Sequence, residues 1–240
     1  TRDFGSLPED DIPSAVAEET LANWGEKLIP SGKYPIIIRN DAAASLLAIY
    51  SSIFSAENAQ KNQSLLKGKV GQKVASDALT LVSDGEGVAT KKCEIILDGT
   101  LQTLLHNRKT ARIEGCETTG HAYKDSYKST LTVAPQNLYI APGNKTNDEL
   151  ITSVTEGVLI TNLSGLHSGT NTISGDFSVE ATGFYIIDGK IASPIKQMTI
   201  AGNFFTLMKD VEETSSDLYF LPHGYGSSSL LVKELAVTVE

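Results

Sequence analysis

Apolar side chains near the start of the chain recur at helical spacing. Over residues 14–28 the intervals between them are four, three and four, which predicts an amphipathic helix. The residues on its apolar face are Ala17, Leu21, Trp24 and Leu28. Residues 1–9 are polar, and we expect them to lie outside any regular element.

A strand followed directly by a second helix comes next. Residues 34–39 are rich in β-branched side chains and predict a buried strand. Asn40 or Asp41 is expected to cap the following helix, which is predicted to continue to about residue 56. The apolar stripe of this helix consists of Leu46, Leu47, Tyr50, Ile53 and Phe54.

From residue 72 onward the pattern changes to short runs separated by turn residues, which is typical of strands. Asp-Gly pairs at residues 98–99 and 188–189 supply the positive φ angles of tight hairpin turns. The second pair joins residues 177–187 to residues 190–195 in the clearest predicted hairpin, and a short helix is expected after Asn203. Further strands are predicted over residues 78–82, 93–97, 101–105, 137–140, 157–162 and 230–239.

Strands that occur in runs, without alternating helices, favour an antiparallel sheet. The predicted fold class is therefore α+β, with a mostly antiparallel, barrel-like C-terminal domain and two N-terminal helices flanking one strand. Residues 1–70 would form a helix-strand-helix segment that packs on the β-rich part, residues 71–240, in one structural unit. The chain starts at Thr1 without a methionine, which suggests a piece of a longer protein.

Charge and cysteine content exclude several classes of function. A net charge of -9 with scattered basic residues argues against direct binding to nucleic acid. Two cysteines, Cys93 and Cys116, are too few for a disulfide framework or for a cysteine-based zinc site. No apolar run approaches the ~20 residues that span a bilayer, so no membrane partner is expected.

The histidines carry no recognisable catalytic or metal-binding motif. None of the four, His106, His121, His167 and His223, is followed by Glu, so H-E-x-x-H is absent. The G-x-S-x-G pattern of a nucleophilic serine is absent too. Residues 84–87 lack the third glycine and the lysine of a phosphate-binding loop, and we interpret them as a turn.

Residues 164–176 are rich in glycine and carry little apolar weight between two strong strands. They could form a long surface loop. They could equally form a glycine-rich strand or bulge that another backbone approaches, and such an edge can bind a peptide by β-augmentation. The candidate peptide-binding residues are Gly165, His167, Gly169, Gly175, Asp176, His106 and Arg108. That these residues only fix turns and ladder hydrogen bonds remains an equal alternative.

The same segments resemble the TldD/PmbA family. The C-terminal motifs that carry the resemblance are Ser174-Gly-Asp-Phe-Ser178, Gly183-Phe-Tyr-Ile-Ile-Asp-Gly-Lys190 and Ile200-Ala-Gly-Asn203. The earlier motifs, which are similar to the PmbA (TldE) branch, are Asn40-Asp-Ala-Ala-Ala-Ser-Leu-Leu47, Phe54-Ser-Ala56, Gly68-Lys-Val-Gly-Gln72 and Leu105-His-Asn-Arg108. The match is collinear from about residue 15 to the end, without the family's N-terminal domain.

The resemblance implies a cytoplasmic, peptide-processing metalloprotease built from two related subunits. In this family, also called modulators of DNA gyrase, the TldD-type subunit binds zinc through H-E-x-x-x-H on a helix. The PmbA-type subunit lacks that motif and pairs with the TldD-type subunit, and the peptide binds in an enclosed chamber as an added strand.

Counting back from Gly71-Gln72 without gaps places the zinc motif at residues 47–52. Leu47 and Ser52 would then replace zinc ligands, and Ala48 would replace the catalytic Glu. TldD-type proteins also use a cysteine near the C-terminus, where this chain has the tail 224–229 without one. We therefore expect no catalytic residue, no metal ligand and no cofactor in this chain.

Three hypotheses follow from these patterns. The leading one is a non-catalytic PmbA/TldE-like subunit that pairs with a TldD-type subunit carrying H-E-x-x-x-H. The second is a stand-alone peptide-binding protein that self-associates as a dimer. The third is an enzyme whose own metal site combines His106, His167 or His223 with Asp176.

Overall fold

The computed structural model describes residues 28–84 and 92–239. The helices, in chain order, are α1 Asn40–Tyr50, α2 Ala56–Gln60, α3 Arg108–Glu114, α4 Asn147–Ser153 and α5 Phe204–Asp210, with a 3-10 helix at Ser51–Phe54. The strands are β1 Gly32–Ile38, β2 Leu81–Ser83, β3 Cys93–Leu97, β4 Thr100–Leu101, β5 Ala122–Tyr123, β6 Thr132–Val133, β7 Leu138–Ile140, β8 Glu156–Ser164, β9 Asp176–Ile187, β10 Lys190–Asn203, β11 Val211–Thr214, β12 Tyr219–Phe220, β13 Tyr225–Ser227 and β14 Leu230–Val239.

Five strands close into a barrel in the order β1-β8-β9-β10-β14, because β14 also pairs with β1. All of these pairings are antiparallel except the one between β1 and β8. This architecture confirms the predicted α+β class with a barrel-like sheet. β1 comes from the part of the chain before residue 70, so both parts of the chain contribute to the same barrel.

A second sheet, in the order β12-β13-β7-β2-β3-β4, lies on the other side of α1. α1 contacts β8 of the barrel as well as β12 and β13 of this second sheet. Its buried side chains, including Leu46, Leu47 and Tyr50, join one hydrophobic core that extends into both sheets. Helix α1 is thus enclosed between two sheets, and its apolar stripe is core, as the spacing predicts.

The alternation of side chains along the barrel strands creates a second, smaller core. Ile36 and Ile38 of β1 face the main core, whereas Ile37 between them faces the opposite side. There α4 covers the sheet with Leu150 and Ile151. None of the helices within the described ranges is long and apolar enough to cross a membrane.

Both predicted Asp-Gly hairpins are confirmed. Asp98 and Gly99 have φ angles of 46° and 76°, and they join β3 to β4. Asp188 and Gly189 have φ angles of 50° and 71°, and they join β9 to β10. Two successive positive φ angles match the right-handed twist of the flanking strands.

Several local predictions differ from the structure. The helix predicted to continue to residue 56 ends at Tyr50, and its N-cap residue is Arg39, whose side chain does not cap it. The strand predicted over residues 101–105 is reduced to Thr100–Leu101. The helix predicted over residues 14–28 falls outside the described residues, except for its last position.

Among the helices that the apolar spacing did not predict, α3 and α4 are each seven residues long. That length gives barely two turns, too few for periodicity to stand out. Each begins with a capping box, formed by Asn107 with Thr110 in α3 and by Thr146 with Glu149 in α4. The capping-box residues are the sequence signal from which these two helices could have been predicted. Their reciprocal side-chain hydrogen bonds satisfy two free N–H groups at the start of a helix.

Candidate functional site

The candidate site lies at the C-terminal half of α1, where the family resemblance places the zinc motif. Leu47 is only 1% exposed and packs in the main core. Ala48 and Ser52 are half-buried, and Ser52 belongs to the 3-10 helix that continues α1. The three positions therefore offer one core side chain, one methyl group and one hydroxyl.

The glycine- and serine-rich tail, residues 224–229, packs directly against this helix. Strand β13 contacts α1, and the hydroxyl of Tyr225 lies 3.4 Å from Ser51 Oγ. The serines that follow, Ser227, Ser228 and Ser229, are completely buried. The tail thus packs on the helical segment that contains the zinc-motif positions, and the side chains it brings there carry hydroxyl groups.

A hydrogen-bond network fixes the start of α1 to this tail. The Asn40 side chain donates to the backbone oxygen of Asp217 at 2.8 Å, and Ser229 Oγ donates to Asp217 Oδ2 at 2.8 Å. Ser229 N donates to Asp217 Oδ1 at 2.9 Å, and Asn40 N donates to Ser229 Oγ at 3.1 Å. Asp217 had no sequence pattern to single it out, because its partners lie 12 residues and 177 residues away.

The zinc that the family resemblance implies does not fit the residues at this position. Zinc in proteins takes about four ligands, which are cysteine sulfur, histidine nitrogen or carboxylate oxygen at about 2.0–2.3 Å. Leu47 and Ala48 have no donor atom, and the neutral hydroxyl of Ser52 is not one of these ligands. Across residues 28–84 and 92–239, no three His, Cys, Asp or Glu side chains are placed to hold a metal ion.

The connection between β8 and β9 contains most of the candidate peptide-binding residues. Gly165 has a φ of 72° and starts a tight turn, in which Gly169 N donates to Gly165 O at 2.9 Å. A side chain at Gly169 would collide with the backbone, since its Cβ would lie 2.2 Å from Ser178 O. Both expectations for this segment are partly met: it is a loop, and a neighbouring strand of the same chain approaches it closely.

Tyr50 joins this loop to α1. Its hydroxyl donates toward two backbone oxygens, at 3.1 Å from Gly175 O and 2.8 Å from Asp176 O. Its ring stacks on Phe204 with the ring centroids 4.3 Å apart. Burial, with a smaller effect of the Asp176 charge, raises the pKa of Tyr50 to about 12, so the hydroxyl stays protonated.

Asn203 completes the connection between the loop and α5. Its side-chain nitrogen donates to Asp176 Oδ1 at 2.8 Å and to Ser174 O at 2.9 Å. Its side-chain oxygen accepts from the backbone nitrogens of Phe205 and Thr206, which caps α5. The two motifs that carry the resemblance, around residues 174–178 and 200–203, are therefore bound to each other through this one amide.

We expect Asn203→Ala to lower the free energy of unfolding by about 1–2 kcal/mol, because the variant loses the cap of α5. Hydrogen bonds from Asn203 and then Ser174 lower the pKa of Asp176 below 3.8. That group stabilises the fold above pH 3.8 and loses its contribution as the pH falls through its folded pKa. Urea denaturation at several pH values measures both effects. Asn162→Ala, at an exposed asparagine of β8, is the control.

The remaining candidates lie on other elements. His106 is buried beside α3, with its Nε2 atom 3.8 Å from both Glu114 Oε2 and Cys116 Sγ. Arg108 is exposed at the first position of α3. His167 is exposed in the β8–β9 loop, and Asp176 is already hydrogen-bonded by Asn203 and Ser174. The structure brings Gly165, His167, Gly169 and Gly175 into one loop that leads directly into Asp176, the first residue of β9, with His106 and Arg108 apart from it.

Two buried histidines should make stability depend on pH. Burial lowers the pKa of His106, against the opposing charge of Glu114, and burial lowers the pKa of His121. The unfolded chain, with a histidine pKa of 6.5, then binds protons that the folded chain does not. The free energy of unfolding should therefore decrease as the pH falls from about 6.5 toward the folded pKa values.

Chemical denaturation between pH 5 and pH 8 checks this expectation. His121→Gln should flatten the profile, whereas Asn162→Ala, at an exposed residue without a titrating group, should leave the slope unchanged. A wild-type profile that is flat below pH 6.5, or one that rises as the pH falls, would contradict the assignment of neutral buried histidines.

Comparison with known proteins supports the family resemblance. The family model for the PmbA/TldA metallopeptidase C-terminal domain matches residues 31–239. A metalloprotease from Methanothermobacter thermautotrophicus is 31% identical over 242 residues, which cover 90% of this chain and 51% of that protein. The chain thus spans about half the length of the curated relatives it matches.

Solved structures agree with the fold. A proposed modulator of a DNA gyrase from Thermotoga maritima superposes with a TM-score of 0.92 at 37% identity, covering 99% of this chain and 57% of that chain. TldE from Thermococcus kodakarensis superposes with a TM-score of 0.86 at 23% identity, covering 95% of this chain and 55% of that chain. The second likeness, at that identity, is one of fold.

Proposed function

The chain belongs to the PmbA/TldD metallopeptidase family, and from that premise we propose that it is a non-catalytic, PmbA/TldE-like subunit. In this role it helps to form the peptide chamber of a TldD/TldE-type metalloprotease and supplies no zinc ligand. The observation that carries the proposal is the donor set at residues 47–52. Leu47 is core, Ala48 has no donor atom, and Ser52 is a neutral hydroxyl.

Shifting the alignment of the zinc motif along α1 does not create a metal site. Sliding the motif by one or two positions along the helix still meets only alanine, serine, leucine, isoleucine, tyrosine and phenylalanine side chains. The tail that packs on this helix, residues 224–229, contains glycine, tyrosine and serine. A tightly bound zinc needs ligands that can be deprotonated or are already anionic, and hydroxyl groups are poor at both.

The proposed partner is a TldD-type subunit that carries H-E-x-x-x-H, since this chain lacks the histidines and the Glu. Two features support this proposal: the family model covers residues 31–239, and the fold resembles that of TldE. Self-association as a dimer is the second arrangement that a family of paired subunits allows. The proposed setting is cytoplasmic peptide processing, without direct contact with DNA, because the net charge is -9.

Peptide contacts are proposed at the exposed members of the candidate set. His167 and Gly165 are exposed on the β8–β9 loop, and Arg108 is exposed on α3. Gly169, Gly175 and Asp176 would act by shaping the loop, because their backbones or side chains already contact the same chain. Because His106 is buried beside α3, it would stabilise this helix and would not contact the peptide itself.

The experiment that tests the proposal compares peptide hydrolysis by this chain alone with hydrolysis after addition of a TldD-type subunit. We expect no hydrolysis by the chain alone at any zinc concentration, and hydrolysis only with the partner. A partner whose catalytic Glu is replaced by Gln should bind but remain inactive, which locates the chemistry. Robust hydrolysis by this chain alone would refute the non-catalytic role. Failure of the pair to co-elute in size-exclusion chromatography would refute the partnership.

A further inference from the structure

A cleft of about 200 Å³ lies between α5 and the segment that leads from α2 to β2. Its apolar lining comes from Leu65, Leu66, Val74 and Phe205. Lysine side chains complete the wall at Lys69, Lys73 and Lys209. Three cations around an apolar floor stand out in a chain whose net charge is -9.

Two of these lysines have no anionic partner within the described residues. Lys73 pairs with Asp77, with its Nζ atom 2.6 Å from Asp77 Oδ1, whereas no ion pair or hydrogen bond within residues 28–84 and 92–239 engages the side chain of Lys69 or Lys209. Both side chains are exposed. Their charges are therefore available to a ligand that enters the cleft.

We propose that this cleft binds the C-terminal residue of a peptide, with its apolar side chain on the floor and its carboxylate between Lys69 and Lys209. The proposal rests on the role in peptide processing described above, and it names a recognition site for the peptide's free end. Hydrogen bonds between an ammonium group and a carboxylate are stronger than neutral ones, and they favour an anionic end over an amide.

The size of the cleft favours a single residue. Pockets for drug-sized ligands enclose about 300–1,000 Å³, so this cleft accommodates a smaller group. A leucine-like side chain would cover Leu65, which is 52% exposed without a ligand. Burial of apolar area then adds to the charge interaction.

The cleft also touches the loop for which peptide contacts are proposed. Phe205 lines the cleft, and its ring lies so close to Gly175 that a Cβ atom there would be 2.5 Å from Phe205 Cδ2. Gly175 is the last residue of the β8–β9 loop and precedes Asp176, the first residue of β9. A peptide end in the cleft would therefore lie against the ring that supports this loop.

The test measures binding of a fluorescein-labelled pentapeptide that ends in leucine with a free carboxylate, in EDTA and without any partner. The same peptide with a C-terminal amide should bind about tenfold more weakly or worse. Lys209→Glu and Lys69→Glu should each weaken binding of the free acid about five- to tenfold and leave the amide unaffected. Lys190→Glu, an equal charge change at an exposed lysine of β10, should change neither.

The floor is tested with Leu65→Ser, compared with Ile113→Ser at an exposed position of α3. The first should weaken binding and the second should not. Equal affinity for acid and amide, equal effects of Lys190→Glu and Lys209→Glu, or no saturable binding would overturn the proposal. Displacement of the peptide by octanoate at lower concentration than by N-acetyl-leucine would overturn the assignment to a peptide. None of these outcomes depends on whether the chain binds zinc, so the proposed function stands or falls separately.

Discussion

Replacing Gly183 with alanine is expected to prevent the barrel from closing between β8 and β9. Gly183 pairs with Ile160 on one side and with Ile195 on the other. A Cβ atom at this position would lie 1.9 Å from Leu159 O and 2.9 Å from Leu159 C. Because both are backbone atoms inside a paired strand, no flexible side chain can move aside.

The expected cost exceeds about 4 kcal/mol, which is beyond the range of ordinary substitutions and a large part of the stability of a domain. Far-UV circular dichroism and urea denaturation of Gly183→Ala measure it. The matched control is Gly32→Ala in β1, where the nearest neighbour of a Cβ would be Tyr34 Cε2 at 3.6 Å. We expect the control to fold like the wild type. A stable, fully folded Gly183→Ala protein would show that the close approach of the two strands is not needed.

The second large effect is expected at Tyr50, the residue that connects α1 to the β8–β9 loop. Tyr50→Ala should cost about 3–5 kcal/mol, since it removes a completely buried ring that stacks on Phe204. Tyr50→Phe keeps the ring and removes only the hydroxyl group. Gly175 O and Asp176 O each retain a backbone donor, so this variant should cost only about 1–2 kcal/mol.

The difference between the two variants separates packing from hydrogen bonding. Amide hydrogen exchange of residues 164–176 should increase in Tyr50→Phe while the barrel strands stay protected. Tyr127→Ala, at a tyrosine that is 83% exposed, should change neither stability nor exchange. Unchanged exchange in Tyr50→Phe would mean that the hydroxyl does not hold the loop.

The secondary-structure elements that the sequence predicts best are those that the spacing of apolar and turn residues determines alone. β14, from Leu230 to Val239, and the β9–β10 hairpin at Asp188-Gly189 follow the pattern directly, because alternation and Asp-Gly turns are local signals. Closure of the barrel does not follow in the same way. It depends on β1 pairing with β14 across about 200 residues, and no local pattern encodes such a pairing.

The candidate site, too, could be predicted from the sequence only in part. The absence of zinc ligands at residues 47–52 is visible in the sequence, since the residue types alone exclude coordination. The network of Asp217 with Asn40 and Ser229, and the bonds of Asn203 to residues 174 and 176, appear only in three dimensions. These contacts join segments that are distant in sequence, so no local pattern reveals them.

Physically, the fold holds a helix between a barrel and a second sheet, and the family resemblance places the zinc motif of a TldD-type subunit on that helix. In this chain the motif positions hold the core residue Leu47 and the half-buried Ala48 and Ser52. Around the helix, Tyr50 donates to a backbone oxygen of Asp176, and the carboxylate of Asp217 is hydrogen-bonded by Ser229.

The zinc content of the purified chain tests most directly the claim that this chain has no zinc site. The chain is equilibrated with excess zinc, dialysed against metal-free buffer and analysed by inductively coupled plasma mass spectrometry. We predict that no stoichiometric zinc remains, because Leu47, Ala48 and Ser52 cannot retain it. One zinc per chain that survives dialysis and is released only by a strong chelator would contradict the central claim.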